Sequence, residues 1–315
     1  MKASNYFLTI CIVTYNSGDV IGQCISSLRE AIINSGILCK IIIVDNGSHD
    51  DTVEKARKIY PESWIIENNS NYGYSKAINQ AVLGCKTNSF LVLNPDTIVG
   101  KDLFTFLKHA DHLPNVSVFS PLLVNEDGNV TRTSYKWPVL SKELVRLFGL
   151  ERVARTFIIS VNNPLPFIRE VEFPEPIGEV KVVDYVAGAA LFIRGEAWRK
   201  IGPFDENFFL YHEEMEWCYR ASKYNIPVFV FMRFKVLHYS KRSSKKRPRE
   251  VILWKYKGLL YFYGKYRPIV FVVSLKIALI ISFTLRSILV LLKGDIDRAK
   301  VFISIVKISL SKGAL

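Results

Sequence analysis

The run LYHEEMEWCYR at residues 210–220 packs three carboxylates, Glu213, Glu214 and Glu216, into four positions beside a Tyr-His pair. At about 100° per helical residue, Glu213, Glu216 and Arg220 share one face, with Glu216 and Arg220 at the favourable i,i+4 spacing. Those glutamates read as a solvated, paired surface. Glu214 falls between Trp217 and Cys218 on the apolar rim. Partial burial there would raise its pKa toward that of a useful general base. Asn94-Pro95-Asp96 follows the apolar run SFLVL. A carboxylate on that turn can hold a hard divalent cation, Mg²⁺ or Mn²⁺, against substrate phosphates. Asp45 ends KIIIVD ahead of an Asn-Gly turn, where it could accept a hydrogen bond from the imide N–H of uracil or thymine. In NYGYSKAINQ, Asn71, Gly73 and Asn79 open and line a helix. Its N-terminus suits a phosphate, and its glycine permits close backbone approach. His238 ends FKVLHYS, a lone histidine that gains weight from the acidic helix and basic run flanking it. No P-loop and no GxGxxG occurs, so ATP and dinucleotide sites lack their hallmark loops.

The elements that must position these residues alternate in type. FLTICIVTY, KIIIVDN, SWIIEN and SFLVLN read as strands, with helices at 19–35, 51–60 and 75–84 between them. Repeated β-α units imply an α/β fold with a mostly parallel, doubly wound sheet and helices on both faces. Ligands bind such sheets at the carboxyl ends of the strands, which is where Tyr15-Asn16, Asp45, the Asn68-Asn69 pair and Asn94-Asp96 fall. Residues 121–180 lose this rhythm and read as loops over the site. VKVVDYVAGAALFIR reads as a strand pair bent at Gly188, followed by a short helix, the turn GPFDENFF, the acidic helix and the strand IPVFVF.

Composition divides the chain at about residue 240. The formal charge of +13 is confined to the end: residues 1–240 carry 25 Lys+Arg against 26 Asp+Glu, and residues 241–315 carry 17 against 3. This basicity lies beside long aliphatic stretches rather than stacking aromatics, which argues against nucleic acid and for an anionic membrane surface. SKRSSKKRPRE reads as a basic linker. Ile269 to Leu292 is apolar, but Lys276 and Arg286 leave no charge-free run longer than nine residues. On a helical wheel Lys276, Arg286, Ser287 and Lys293 gather within about a third of the circumference, and Lys300, Ser304, Lys307 and Ser311 repeat the design. Both helices are therefore expected to be amphipathic and to lie in the membrane interface. The domains expected are 1–240, catalytic, and 241–315, linker and membrane-associating helices. Five scattered cysteines without a CxxC pair favour neither a disulfide framework nor a zinc site and point to a reducing compartment. The first 16 residues read as a strand rather than a signal peptide.

The stretches IVTYN, VDNGSHD, NYGYSKAIN, LNPD, GAALFIR and GPFDENFFLYHEEMEWCYR, in this order between about Phe7 and His238, resemble glycosyltransferase family 2. These are inverting, nucleotide-sugar-dependent enzymes of the GT-A fold. The last two blocks look most like its rhamnosyltransferase branch. The resemblance implies that Thr14, Tyr15, Asn16, Asp45, Asn71, Gly73, Asn79 and Asn94 bind the nucleotide-sugar, and that Asp96 with His238 holds Mn²⁺ or Mg²⁺. It places Glu214 where the family usually has an aspartate base, and Asp184, Gly188, Ala189, Tyr211 and Glu213 around the sugar or acceptor. Glu for Asp at 214, and again at 216, departs from the family pattern. The implied reaction transfers a sugar, rhamnose from dTDP-rhamnose first among UDP- and dTDP-hexoses, to a lipid-linked or nascent bacterial surface glycan at the inner face of the membrane. A non-catalytic nucleotide-sugar or glycan-binding protein and a membrane-associated nucleotidyltransferase are the readings from other classes. The intact Asp96 and acidic helix argue against the first.

Overall fold

A computed structural model describes residues 8–85, 87, 89–104, 117–150, 169–173, 178–239 and 248–311. The loop-rich stretch expected over 121–180 and the linker expected from 240 fall partly outside these residues. The chain divides into two compact units. One holds Met1–Lys136, Pro164–Glu206 and Glu214–Ser243; the other holds Trp137–Asn163, Asn207–Glu213 and Ser244–Leu315. The second unit is thus more than the C-terminal tail.

The first unit is built on a ten-stranded sheet. Its opening half follows the β-α rhythm of the sequence: β1 (Leu8–Thr14), α1 (Ile21–Ser35), β2 (Cys39–Asp45), α2 (Thr52–Ile59), β3 (Trp64–Glu67), α3 (Tyr74–Leu83) and β4 (Ser89–Leu93). These four strands run parallel in the order β3-β2-β1-β4. β1 is buried along its whole length, as a continuous β-branched run with both faces covered should be. Leu8, Ile10 and Ile12 join the side chains of α1 in one core, while α3 packs on β1 and β2.

The other half is mixed. β5 (Thr97–Val99), β6 (Val118–Val124), β7 (Ser134–Tyr135), β8 (Arg169–Phe173), β9 (Gly178–Val183), β10 (Tyr185–Val186), β11 (Ala190–Arg194) and β12 (Val228–His238) follow in the chain, with α4 (Leu140–Leu147) after β7 and α5 (Gly195–Ile201) after β11. The sheet continues from β4 as β11-β6-β12-β9-β8, with β5 paired to the end of β12. β11 is antiparallel to β4, and β12 is antiparallel to both β9 and β5. The expected strand pair across Gly188 does not form. β10 pairs instead with β7, Tyr185 opposite Tyr135, so the chain leaves the main sheet between β9 and β11. The helix α6 (Glu213–Lys223) precedes β12.

Among the described residues, the second unit holds α4 and three C-terminal helices, α7 (Pro248–Tyr266), α8 (Ile269–Leu292) and α9 (Ile296–Leu310), together with 207–213. α8 packs on α9, α7 and α4. Its buried line comprises Val272, Leu275, Ala278, Leu279, Ser282, Phe283 and Ser287. Ser287 is therefore inside, not on a solvated polar face.

Candidate active site

The strand ends of the parallel half build one wall. Asp45 is 2 % exposed, and its carboxylate accepts hydrogen bonds from the hydroxyls of Thr14 at 2.8 Å and Ser48 at 2.6 Å and from the Ser48 amide at 2.8 Å. The carboxylate is thus pre-oriented, with lone-pair capacity left for one further donor. Thr14 is buried and its hydroxyl is given to Asp45. It positions that carboxylate. Asn16 takes a left-handed conformation at φ +50°. Its amide donates to Ser48 Oγ and its Oδ1 accepts from the His49 amide, both at 2.8 Å. Those bonds tie the loop after β1 to the loop after β2, with half-buried Tyr15 between Thr14 and Asn16. Gly47, at φ +76°, approaches so closely that a Cβ there would meet Asn68 O and Ser70 N at 3.2 Å. Asn71 Oδ1 accepts from the Gly73 amide at 3.0 Å. Gly73 caps α3 at φ +88°, and its carbonyl accepts from Asn46 Nδ2 at 3.1 Å.

Asn79 is tied to the turn ahead of the acidic helix. Its Nδ2 donates to the Phe204 carbonyl at 2.9 Å and to Glu206 at 3.0 Å, and its Oδ1 accepts from the Phe204 amide at 3.0 Å. An amide so engaged and only 6 % exposed fastens the GPFDE turn to α3.

The pairing of β5 with the end of β12 sets His238 opposite Thr97, and so beside Asp96. The His238 Nε2 lies 3.2 Å from Asp96 Oδ1, and the Tyr239 amide donates to the Asp96 carbonyl at 2.9 Å. Two groups 142 positions apart in the chain thereby become neighbours. Among the described residues no cluster of three or more His, Cys, Asp or Glu side chains is assembled for a metal ion.

The antiparallel β4-β11 pair brings Gly188 and Ala189, just ahead of β11, to Asn94, just past β4. The Asn94 amide donates to the Ala189 carbonyl at 2.9 Å. The Tyr74 hydroxyl, at the start of α3, donates to Asn94 Oδ1 at 3.0 Å and lies 3.4 Å from the Gly188 carbonyl. Gly188 in turn faces Glu214: a Cβ on it would stand 3.6 to 3.9 Å from the Cβ, Cγ and Cδ of Glu214. The Glu214 side chain, half-buried, therefore reaches the strand end that carries Asn94 and Asp96. The extra methylene that separates it from an aspartate lies along the bare glycine.

A second, two-stranded sheet flanks Glu214. Tyr135 and Tyr185 stack at 5.1 Å between centroids, and the Arg132 guanidinium sits 5.6 Å over Tyr135. Burial raises the Tyr135 phenol, the Glu214 charge raises it further, and Arg132 opposes both. Asp184, half-buried, precedes Tyr185.

The acidic helix is not solvated as its charge pattern suggests. Glu213 is 5 % and Glu216 0 % exposed. The i,i+4 pair does form, with Arg220 Nε donating to both Glu216 oxygens at 3.0 and 3.1 Å. The same guanidinium donates to the carbonyls of Ile201 and Pro203 at 2.6 Å, and Trp217 Nε1 donates to the Gly202 carbonyl at 2.8 Å. Glu216 faces inward because its partner is needed to hold that turn. Burial also pushes the Cys218 thiol up to about 12, and all five cysteines are free.

Tyr211 and Glu213 belong to the second unit. There Tyr211 and His212 have φ +69° and +73°. Their backbone passes so close to α7 that a Cβ on Gly258 would lie 3.1 Å from the Tyr211 carbonyl oxygen and 3.2 Å from His212 Cδ2. Burial, helped by the charges of Lys255 and Arg146, lowers the His212 imidazole to about 3.

Tyr74, Tyr135, Tyr185 and Arg132 had no sequence signal of their own. A two-residue strand shows no periodicity, although Tyr74 stands inside the NYGYSKAIN stretch.

Residues 9–163 match the family model described as Glycosyl transferase family 2. The chain is 26% identical over 267 residues to the N-acetylglucosaminyl-diphospho-decaprenol L-rhamnosyltransferase of Mycobacterium tuberculosis, covering 81% of this chain and 83% of that one. It is 28% identical over 225 residues to the low-salt glycan biosynthesis hexosyltransferase Agl10 of Haloferax volcanii, covering 70% and 63%. Among solved structures, S. aureus TarS 1–349 superposes with a TM-score of 0.52 over 95% of this chain and 90% of that one at 14% identity. GalNAc-T7, solved with UDP, GalNAc and Mn²⁺, does so with a TM-score of 0.52 over 83% of this chain and 50% of that one at 15% identity. The fold is GT-A-like.

Proposed function

The chain carries a glycosyl transferase family 2 domain, and from that premise we propose that it is an inverting transferase, moving a hexose from a nucleoside-diphosphate sugar to a hydroxyl of a lipid-linked or nascent surface glycan. The observation that carries this reading is the meeting of Glu214 with Gly188 at the strand end that bears Asn94 and Asp96. A single carboxylate beside the site of the leaving diphosphate suits a one-step displacement and differs from the two opposed acids of a glycosidase. Rhamnose from dTDP-rhamnose is the first donor to test. The activity of the Mycobacterium relative supports both that sugar and a polyprenyl-diphosphate acceptor. UDP- and other dTDP-hexoses follow.

Asp45, fixed by Thr14 and Ser48, accepts the imide N–H of the base. Tyr15, Asn16 and Asn71 to Gly73 line the nucleotide, and Gly73 leaves backbone close to it. Glu214 removes the acceptor hydroxyl proton as the oxygen attacks the anomeric carbon, and the bond to the diphosphate breaks. The Tyr135–Tyr185 stack and Gly188 border the acceptor. A buried carboxylate beside an imidazole, Asp96 with His238, would be a fitting pair of donors for one divalent cation held against substrate phosphates. Bound Mn²⁺ or Mg²⁺ would neutralise the departing diphosphate. The enzyme works at the cytoplasmic face of the membrane, where such acceptors lie, with the cationic tail supplying attraction to anionic lipid.

Nucleotide release from dTDP-rhamnose, other dTDP-sugars and UDP-sugars, with and without Mn²⁺ and a polyprenyl-diphosphate saccharide, tests the reading. Acceptor-dependent release from one donor supports it. Diphosphate release from a nucleoside triphosphate, with none from any sugar nucleotide, contradicts it.

A further inference from the structure

The membrane contact of the second unit can be assigned to one line of side chains, and it is not the cationic face that the sequence suggests. On α8, Lys276 and Arg286 are half-buried and donate to protein carbonyls. The Lys276 ammonium donates to Ser311 O at 2.9 Å. Arg286 donates to the Leu147 carbonyl at 2.7 Å and stacks over Phe283 with 5.2 Å to the ring centroid. Ser282 gives the same Leu147 carbonyl a second donor at 2.8 Å. That carbonyl closes α4, where helix ends leave acceptors unfilled, so Arg286 has a structural use there, while Lys276 bonds the carbonyl of Ser311 that follows α9.

What α8 shows outward is apolar. Val270, Val273, Ile277, Ile281, Leu285, Ile288 and Leu292 are 44 to 80 % exposed and follow one another at three- and four-residue steps, the spacing of one helix face. The helix is 24 residues long, ~36 Å at about 1.5 Å per residue, and is the one helix among the described residues long and apolar enough to cross a membrane. A soluble surface seldom leaves so long an aliphatic line bare. The residues 241–315 that frame it hold 17 cationic side chains against 3 anionic ones, a balance complementary to anionic headgroups and unsuited to a second copy of the same surface.

We propose that this stripe, centred on Ile277, Ile281, Leu285 and Ile288, inserts among the acyl chains of an anionic bilayer with α8 lying in the membrane plane. This rests on the membrane reading above and names its contact surface. In-plane insertion is favoured over a span by α9. It packs along α8 yet exposes Lys300 and Lys307, which a spanning α8 would carry into hydrocarbon.

The test is flotation of the full-length protein with vesicles of phosphatidylcholine and phosphatidylglycerol in a seven-to-three ratio. Wild type should float. The double variant Ile277→Glu/Ile281→Glu should lose about tenfold or more of its vesicle partition, with unchanged circular dichroism and thermal unfolding as the check on folding. Ile33→Glu, at a position of α1 that is 70 % exposed, should float like wild type. Lys265→Cys and Lys293→Cys, near the two ends of α8, should both react with an impermeant maleimide added outside the vesicles. Flotation that survives both glutamates overturns the stripe and leaves the membrane reading standing, whereas failure of wild type to float overturns both. Labelling at only one end establishes a span and overturns the in-plane placement. Loss of dimer in the double variant, with vesicle binding intact, assigns the face to a second copy and also overturns the proposal.

Discussion

Asp96 and Gly47 can be tested one at a time. Asp96→Asn keeps the shape of the side chain and removes the charge that would hold a cation, so Mn²⁺-dependent donor affinity should fall by about tenfold or more while metal-free binding changes little. Isothermal titration with and without Mn²⁺ checks this, and equal affinities in wild type and variant under both conditions would exclude a metal at Asp96. Gly47→Ala combines a left-handed backbone with contacts at 3.2 Å, and should cost about 1–3 kcal/mol in unfolding free energy. His212 gives a pH signature. Its folded pKa of about 3 lies below the unfolded value of 6.5, so between these values the unfolded chain takes up a proton that the folded chain refuses. Stability should therefore fall as pH drops from about 6.5 toward 3 and be independent of His212 above that window. Thermal unfolding of wild type and His212→Phe against pH reads the difference, and parallel curves would remove His212 as the cause.

The elements were legible in unequal measure. The parallel half appears in the sequence because each strand is a β-branched run and each helix a 3.6-residue pattern, and its helix ends differ from the expected ones by one or two residues. β7 and β10 were not legible, because a two-residue strand has no period and its pairing depends on partners 50 positions away. Asp96 and His238 could be named from the sequence, but their contact is a product of the β5-β12 pairing. The acidic helix shows the opposite failure. Its charge spacing predicted the Glu216–Arg220 pair correctly and its exposure wrongly, since the reason for burial, the turn at 201–203, lies outside the helix. That buried pair predicts a penalty: Glu216→Ala leaves a hydrogen-bonded guanidinium without its counter-charge and should cost about 3 kcal/mol. Chemical denaturation measures it. A loss near zero would mean that the turn is held by Trp217 and Asn79 alone.

At the scale of the whole molecule, a sheet unit holds the residues proposed for the chemistry, and a helical unit holds most of the basic C-terminal stretch. The charge division along the chain falls close to one of the unit boundaries, at Ser243–Ser244. The inclusion of 137–163 and 207–213 in the helical unit did not show in composition, because contacts rather than residue types define it. The central claim is that Glu214 is the base of a sugar transfer whose donor is held elsewhere. The most direct measurement is single-turnover transfer by Glu214→Gln, with donor affinity determined on the same preparation. Transfer should drop by about 10²–10⁴-fold while the Kd for the nucleotide-sugar in Mn²⁺ stays within about twofold. Transfer at the wild-type rate would contradict the account.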